Sequence, residues 1–525
     1  MLRRFHVDIP SSLALLYAPL QKVTERLRVT RRGSRRFEPR DILLPDGYVA
    51  ELVADGFTAP VHCSFDPDGR VYVTEAGHKT ETPPRIYRVE PGSGAKEMIV
   101  ELPPGRFWPT GAATGTAWHG GSLYLSNTDS ILRIDPDGTL QEVVTGLPGR
   151  GDHQTNHPLL GPDGLLYWGQ GSATNMAVVG PDNFGYEWLP KFPDVCDVPA
   201  QDIVLAGRNF RSPNVLGNVL GRVETGGFVP FGTPTEPGQR VPGSPKCNGA
   251  ILRCALDGSN LEVVAWGLRN PYGLAFAPDG RLFATEHGSD ERGARYLVGD
   301  LDDFYEIREG AWYGWPDFAS GIRLDDPRWS PGAVRPEPLL AEFPDPEPPA
   351  PLLSFEPHAG ANGLDFSRSE EFGFVGQAFV ALFGDLAPVT TARQVVPAGF
   401  KVVRVDPSSG ALVDFAVNRI QGPASKLFHG GFERPSHCAF GPDGALYVVD
   451  WGEIKIAPEK GGIRMKQGTG ALWRIRREPG LPAGELPPAP RRVPFYPIQA
   501  AIVVAAAIGV VVAVRALVRR LRRRP

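Results

Sequence analysis

One hairpin signature recurs along this 525-residue chain and constrains its fold more than any other feature. Each copy has a turn, most often Pro-Asp-Gly, then a short strand-like run and then a polar loop. Five copies have this form and a sixth is degenerate: FDPDGRVYVTEAG (65–77), AWHGGSLYLSNTD (117–129), LGPDGLLYWGQGS (160–172), AFAPDGRLFATEHGS (275–289), AFGPDGALYVVDWGE (439–453) and GFVGQAFVALFGD (373–385).

Self-similar β units at this irregular spacing predict a β-propeller with loop insertions. A second apolar strand follows most copies, and six copies imply about six blades. The 62 glycines and 54 prolines suit an all-β fold with many tight turns. A pair of β-sandwiches is the alternative, but one turn signature repeated six times favours the six-bladed propeller.

The propeller is predicted to span residues 42–477. Residues 1–41 form a basic extension, 478–492 a Pro-rich linker, 493–514 a transmembrane helix and 515–525 an Arg-rich tail. Two insertions interrupt the propeller, residues 171–249 and 318–359, and either can form a wall of a substrate cleft or be inert decoration. Cys196 and Cys247 bracket the first insertion and can pair in an oxidising compartment.

The charge is distributed unevenly around a net value of −4. Both ends of the chain are basic and the body between them is acidic, which argues against nucleic-acid binding and suggests an anionic membrane surface. The 22-residue apolar segment and the arginines after it predict a single-pass anchor in the cell membrane, with a cytoplasmic C-terminus and an extracytoplasmic propeller. The first 40 residues lack a clear signal peptide, so the orientation stays open.

Polar residues flank the hairpins at the rim where the blade loops should converge. Asp152 and His153 precede the third hairpin, and a histidine beside a carboxylate suits a general base. Arg269 and Asn270 precede the fourth hairpin, where a guanidinium fork and an amide suit carboxylate or quinone oxygens. Arg434 occupies the corresponding place in the sixth unit. Taken singly, the Asp152–His153 pair is more often structural than functional, and Arg269 with Asn270 suits a structural hydrogen-bond network equally well.

Together these motifs resemble the glucose/sorbosone dehydrogenase family. The resemblance is carried by DHQ (152–154), LRNPYGLAFAPDGRLFATEHG (268–288), GAWYGWP (310–316) and ERPSHCAFGPDGALYVVDWG (433–452). It implies a soluble-type sugar dehydrogenase that uses pyrroloquinoline quinone on a six-bladed propeller, over about residues 42–477.

The resemblance also implies roles for individual residues. His153 matches the catalytic base and Asp152 the acid beside it, while Arg269 and Asn270 match the pair that contacts the quinone. Arg434 matches one of two clamp arginines. Gly288 and Ser289 stand where the family supplies two backbone carbonyls to a calcium ion.

The chain departs from the family pattern at two places. The second clamp arginine is replaced by Ser436. The cofactor-binding lysine of the fifth unit has no secure counterpart, although Arg393 and Lys401 lie nearby.

We therefore expect a membrane-tethered, quinone-dependent dehydrogenase that oxidises a sugar or other small polyol and passes electrons to a quinone or cytochrome. Two alternatives remain. One is a non-catalytic propeller that binds a carbohydrate or protein partner. The other is a calcium-dependent lactonase-type hydrolase, for which Asp290, Glu291, Asp302 and Asp303 are the candidate carboxylates.

Overall fold

The computed structural model describes residues 35–103, 112–217, 221–329, 336–387, 389–391, 397–457 and 462–491. Six antiparallel sheets of four or five strands follow one another along the chain, so the predicted six-bladed propeller is confirmed. The predicted transmembrane helix over 493–514 and the Arg-rich tail lie outside the described residues. Within the described residues, no helix has the length and apolar character needed to cross a membrane.

The first three blades are built in chain order, each from its innermost to its outermost strand. Blade 1 contains β3 (Pro60–Phe65), β4 (Val71–Glu75), β5 (Arg85–Val89) and β6 (Lys96–Glu101); blade 2 contains β7 (Ala113–His119), β8 (Ser122–Asn127), β9 (Ser130–Ile134) and β10 (Leu140–Thr145); blade 3 contains β11 (Leu159–Leu160), β12 (Leu166–Gln170), β17 (Ala250–Cys254) and β18 (Glu262–Trp266).

Blade 4 is also built in chain order, whereas blades 5 and 6 each add an N-terminal strand at the outer edge. Blade 4 contains β19 (Pro271–Phe276), β20 (Leu282–Glu286), β21 (Asp303–Glu306) and β24 (Leu353–Ser354); blade 5 contains β25 (Ala361–Phe366), β26 (Ala378–Leu382), β27 (Lys401–Asp406), β28 (Ala411–Asn418) and β1 (Ile42–Leu43); blade 6 contains β29 (Pro435–Phe440), β30 (Leu446–Asp450), β33 (Gly470–Arg477) and β2 (Tyr48–Phe57).

The two insertions predicted from the sequence carry the small elements outside the blades. The first connects β12 to β17 and the second connects β21 to β24. These and the remaining elements are α1 (Pro181–Gly185), β13 (Ile203–Ala206), β14 (Asn209–Pro213), β15 (Arg222–Gly226), β16 (Pro237–Val241), β22 (Phe318–Ala319), β23 (Ile322–Arg323), β31 (Ile454–Ala457), β32 (Gly462–Met465) and two 3₁₀ turns, Pro39–Asp41 and Ala424–Lys426.

The Pro-Asp-Gly turns form the hairpins because their residue types match the turn geometry. Gly69 and Gly444 have φ values of +85° and +73°, in the left-handed region that glycine adopts without steric cost. The turn aspartate is also bound by a tyrosine of the next strand: the Tyr447 hydroxyl donates to Asp443 at 2.9 Å, and the Tyr167 hydroxyl donates to Asp163 at 2.8 Å. The repeated turn therefore fixes the register of the hairpin.

The second strand of a blade is buried on both faces because neighbouring blades pack against it. All five residues of β4, β12, β20, β26 and β30 are buried. The alternation expected of a strand with one solvated face is therefore absent from these strands. Large side chains fill the space between the sheets, among them the fully buried Trp168 and Trp473.

The ring is closed by the N-terminal strand, which the repeat pattern did not identify. β2 pairs antiparallel with β33, from Tyr48 opposite Arg477 to Phe57 opposite Gly470. Residues 35–41, assigned above to the basic extension, also contact the propeller: Arg35 forms a buried ion pair with Asp450 at 2.5 Å. The closure joins the two ends of the propeller, so it depends on the N-terminal segment.

The proposed pairing of Cys196 with Cys247 is not formed, since all five cysteines are free thiols. Cys247 is fully buried in the cluster around Trp168, whereas Cys196 packs against a separate cluster that contains Trp188 and Leu189. The two thiols therefore belong to different packing units of the first insertion.

Asp450 offers a test of the closure. Replacing it with alanine leaves the buried Arg35 guanidinium without its carboxylate partner and the Glu433 and Arg434 amides without their acceptor, so the free energy of unfolding should fall by about 3–5 kcal/mol. Urea unfolding measures the change. Asp443→Ala, which removes an exposed turn carboxylate and the Tyr447 hydrogen bond, should cost about 0.5–1.5 kcal/mol. Equal losses in the two variants would contradict a special role for Asp450 in the closure.

Candidate functional site

A cavity of about 290 Å³ opens among the loops that precede and follow the inner strands. Five of the seven predicted site residues line it: Asp152, His153, Arg269, Asn270 and Gly288. Ser289 and Arg434 are buried close by but do not line the cavity. The sequence therefore placed most of its candidates at one site, although they come from separate blades.

A buried carboxylate at the end of the second strand fixes the loop that enters each of three blades. In blade 4, Glu286 accepts hydrogen bonds from the backbone amides of Arg269 and Asn270. In blade 6, Asp450 accepts the amides of Glu433 and Arg434, and in blade 1 Glu75 accepts an amide of the preceding loop. The acidic residue at the end of the second strand therefore orients the loop that carries the predicted site residues, as Glu286 does for Arg269 and Asn270.

His153 is set up as a proton acceptor. Its Nδ1 lies 3.0 Å from the carbonyl oxygen of Ser172. A carbonyl oxygen can only accept, so Nδ1 carries the proton and Nε2 keeps its lone pair. Burial, and next the positive charge of Arg269, lower the pKa of His153 well below its usual value. The imidazole is therefore neutral near neutral pH, with its lone pair on Nε2.

The Asp152 carboxylate is held by groups other than the His153 ring. Its Oδ1 accepts hydrogen bonds from Asn183 at 3.0 Å and from the Trp188 indole at 2.6 Å, and its Oδ2 pairs with Arg292 at 2.5 Å. The recorded partner of the imidazole Nδ1 is Ser172. Asp152 is thus part of the cavity wall, and its role as an acid beside the base stays a prediction.

Arg292 is the centre of that wall. It also pairs with Asp182 at 2.6 Å and with Asp290 at 2.9 Å, and its guanidinium lies 4.2 Å from the centroid of the Tyr186 ring. Although burial lowers the pKa of this guanidinium, the surrounding carboxylates raise it well above its usual value. A single buried cation therefore holds three acids from separate loops.

Arg269 is buried and held by backbone and side-chain oxygens. Its Nε donates to the Asn175 carbonyl at 3.0 Å, its Nη2 to the Asn175 side chain at 2.9 Å and its Nη1 to the Gly288 carbonyl at 2.8 Å. Asp290 lies 3.7 Å from the same guanidinium. A ligand carboxylate that binds Arg269 would have to replace one of these contacts.

Asn270 belongs to a polar chain across the cavity. Its amide nitrogen donates to Nδ1 of His287 at 2.9 Å, and Nε2 of His287 then donates to the Asn362 side chain at 2.9 Å. The oxygen of Asn270 accepts from Asn156 at 3.0 Å. The chain links blades 3, 4 and 5 and fixes the His287 tautomer with its proton on Nε2.

The donor set around Gly288 does not favour the expected calcium ion in this arrangement. The Gly288 carbonyl oxygen accepts a hydrogen bond from the Arg269 guanidinium, so a cation bound to the same oxygen would meet a positive charge. The amides of Gly288 and Ser289 donate to Asp302 and Asp300, and the Ser289 side chain is buried. Calcium binding at Gly288 and Ser289 stays a prediction.

Arg434 lies behind the cavity wall. Its Nη1 donates to the carbonyls of Gly384 at 2.9 Å and Asp385 at 3.0 Å, and its guanidinium lies about 5.0 Å from the centroid of the Phe383 ring. Gly384 and Phe383 line the cavity. The Ser436 hydroxyl donates to backbone carbonyls of Pro60 and Val449, inside the blade packing.

The acidic residues of the hydrolase alternative each have separate partners within the protein. Asp290 pairs with Arg292, Asp302 accepts the amides of Gly288, Gly360 and Ala361, and Asp303 is bound by Ser320 and Ser354. The Glu291 amide donates to the Thr390 carbonyl.

Of the two basic residues near the expected lysine position of the fifth unit, Lys401 pairs with Asp414, and Arg393 lies outside the described residues.

Four residues important to the site were missed from the sequence: Ser172, Arg292, His287 and Asn175. Ser172 and His287 lie within two residues of the end of the second strands of blades 3 and 4, where the loop motif places polar residues. That position could have identified them. Asn175 and Arg292 lie farther along their loops, and only the folded chain brings them to the cavity.

Glu286 provides a pH test of how the loop is held. Burial raises its pKa to about 8, so the folded protein binds a proton that the unfolded chain releases above about pH 4.5. The contribution of this group to stability is therefore lost as pH rises from about 4.5 to 8. In Glu286→Gln that loss is absent, so its thermal midpoint relative to the parent should increase between pH 5 and pH 8. The exposed Glu262→Gln is the matched control, and the same shift in both variants would contradict the assignment.

Three comparisons bear on the family. The Glucose / Sorbosone dehydrogenase model matches residues 252–452. A curated relative, quinoprotein glucose dehydrogenase B of Acinetobacter calcoaceticus, is 24% identical over 301 residues, which are 52% of this chain and 53% of the relative. The match thus spans about half the length of that protein.

Solved structures share the fold. A family AA12 carbohydrate-active enzyme of Trichoderma reesei superposes with a TM-score of 0.52 at 15% identity, covering 85% of this chain and 99% of that one. The pyranose dehydrogenase PQQ domain of Coprinopsis cinerea gives 0.50 at 15% identity, covering 85% and 98%. The match over residues 252–452 confirms the resemblance of this chain to the Glucose / Sorbosone dehydrogenase family.

Proposed function

We propose that this protein is a quinone-dependent dehydrogenase that oxidises a hydroxyl or hemiacetal of a sugar or other small polyol. The observation that carries the proposal is His153, a neutral imidazole at the cavity whose Nδ1 is bonded to a carbonyl and whose Nε2 lone pair is available. The relative from Acinetobacter calcoaceticus is a quinoprotein glucose dehydrogenase, which supports the choice of reaction.

The cavity fits a flat, polar cofactor such as pyrroloquinoline quinone. Among the described residues, three that line the cavity carry buried polar atoms without a hydrogen-bond partner: Nε2 of His358, Oγ1 of Thr390 and Nε1 of Trp451. Unpaired buried groups of this kind are costly unless a ligand satisfies them. Together with the aromatic rings of Phe383 and Tyr186, they would hold the group beside Arg269 and Asn270.

His153 performs the proton step in this proposal. The bound quinone supplies a hydride acceptor for the substrate carbon. His153 Nε2 accepts the proton of the substrate hydroxyl, and the Ser172 carbonyl stabilises the resulting imidazolium through Nδ1. Arg292 and its three carboxylates keep the wall behind the base fixed, so that the imidazole does not have to reorganise during the reaction.

A non-catalytic binding role is the second candidate. It is favoured by Arg269, whose donors already bind Asn175 and Gly288, and by the serine at position 436 in place of a clamp arginine. Both features reduce the positive charge offered to a tricarboxylate cofactor.

The His153→Gln variant tests the catalytic proposal. With pyrroloquinoline quinone and an aldose panel, the parent protein should reduce an acceptor dye, and the variant should lose about 10²- to 10⁴-fold in kcat. The variant should keep the absorbance of the bound quinone, because it lacks only the base. The exposed His119→Gln is the control. A parent protein that binds no quinone and reduces no dye would support the binding role instead.

The pH profile adds a second check. Because the pKa of His153 lies well below 6.5, its neutral form persists as the pH falls through 6.5. We expect kcat/KM to stay flat between about pH 6.5 and 8 and to fall only at lower pH. An acid limb centred at or above pH 6.5 would argue against His153 as the base.

We also propose that residues 493–514 anchor the protein in the cell membrane, with the propeller on the extracytoplasmic side and a membrane quinone or cytochrome as electron acceptor. The apolar length and the arginines that follow it support this. Removing residues 493–525 should move the protein from the carbonate-washed membrane fraction to the supernatant. Removing only 515–525 should leave it in the membrane fraction. Retention of the longer truncation in membranes would contradict the anchor.

A further inference from the structure

The innermost strands of the six blades bring six equivalent residues together below the cavity. In five of the blades the position is the third residue of the strand, and in blade 3 it is the third residue from the isolated bridge at Thr155. Three of the six residues are histidines and three are glycines: His62, Gly115, His157, Gly273, Gly363 and His437.

The three histidines meet one another. The ring centroids of His62 and His437 lie 4.0 Å apart, those of His62 and His157 4.6 Å, and those of His157 and His437 5.2 Å. One ring nitrogen from each lies within 4.8 Å of the other two. All three side chains are buried, with no more than 5% exposed.

The glycines make room for this cluster. A Cβ at Gly115 would lie 2.5 Å from both His62 and His157, and a Cβ at Gly363 would lie 1.9 Å from Nδ1 of His437. Atoms of real side chains do not approach this closely. The imidazoles therefore occupy space that any other residue at these two positions would fill.

The cluster is poorly satisfied by hydrogen bonds. In the part of the chain that the structure describes, Nε2 of His157 and Nδ1 of His437 have no partner. Nδ1 of His62 accepts only a long bond, 3.4 Å, from the Thr116 amide. Burial lowers the pKa of His157 to about 4 and that of the other two well below the usual value, so the rings are neutral and carry lone pairs.

We propose that His62, His157 and His437 form a three-imidazole site for a divalent first-row transition metal of the zinc class. Neutral imidazole is a preferred ligand of zinc, copper and nickel, whereas calcium and magnesium take oxygen ligands. Zinc–nitrogen distances of about 2.0–2.1 Å would bring the nitrogens to about 3.4 Å from each other, so the rings close slightly on binding. This is the one group of three ligating side chains found among the described residues.

The site would lie one residue below the floor of the cavity. Val61 and Asn156, which line the cavity, each precede one of the histidines. His157 contacts the Tyr272 ring at 5.9 Å, and that ring stacks on His287 at 5.2 Å. A metal here cross-links blades 1, 3 and 6 and holds the channel closed directly beneath the cavity residues.

Metal content of the full chain, purified without any quinone, tests the proposal. After loading with Zn²⁺ and dialysis against metal-free buffer, the parent protein should retain about one zinc per chain by mass spectrometry, since three imidazoles match its ligand preference. His157→Gln and His437→Gln should each retain at least tenfold less. His429→Gln, a buried histidine outside the cluster, should retain the parent amount. Zinc-free parent protein, or equal zinc in parent and His157→Gln, would overturn the site.

A second measurement on the unmodified chain covers the case in which a variant does not fold. In Cu²⁺-loaded parent protein, pulsed electron paramagnetic resonance should detect three coordinated imidazole nitrogens. A signal from oxygen ligands or from a single imidazole would overturn the proposal. Neither measurement involves sugar, quinone or dye, so a failure here is separate from a failure of the dehydrogenase assay.

Discussion

The site depends on a buried carboxyl group that accepts hydrogen bonds from the backbone amides of the loop entering its blade. Glu286 does this for Arg269 and Asn270, and Asp450 does it for Glu433 and Arg434. Because an unpaired buried amide or carboxylate costs free energy, the loop has one satisfied arrangement. The side chains on that loop are consequently placed with the precision of the strands beneath them.

Because of this constraint, the repeated structural motif also positions the residues of the candidate site. The same position of the hairpin motif holds a structural acid in three blades, while the residues on the loops that it orients differ from blade to blade. Blade 4 presents Arg269 and Asn270 and blade 6 presents Arg434, whereas blade 3 contributes His153, whose ring is held by the Ser172 carbonyl. His153 and the residues around it thus come from different blades, and the ring closure by β2 keeps them in register.

Charge around the cavity is balanced inside the protein. Arg292 holds Asp152, Asp182 and Asp290, and Arg269 is held by Asn175 and Gly288. These contacts make the wall rigid, and they also mean that a charged ligand has to compete with existing partners. Specificity in such a cavity comes from which polar groups stay unpaired, and among the described residues His358, Thr390 and Trp451 each offer a buried unpaired atom to a ligand.

The sequence by itself determined the propeller, the number of blades and five of the residues that line the cavity, because the Pro-Asp-Gly hairpin is a local signal with a fixed relation to the loops at one rim. Contacts between distant segments were decided only by the tertiary structure. Arg292 reaches Asp152 across 140 positions, and β2 reaches β33 from the other end of the propeller. The cluster of three histidines also depends on contacts between distant segments. No single strand pattern indicates it, and only closure of the ring brings the three histidines together.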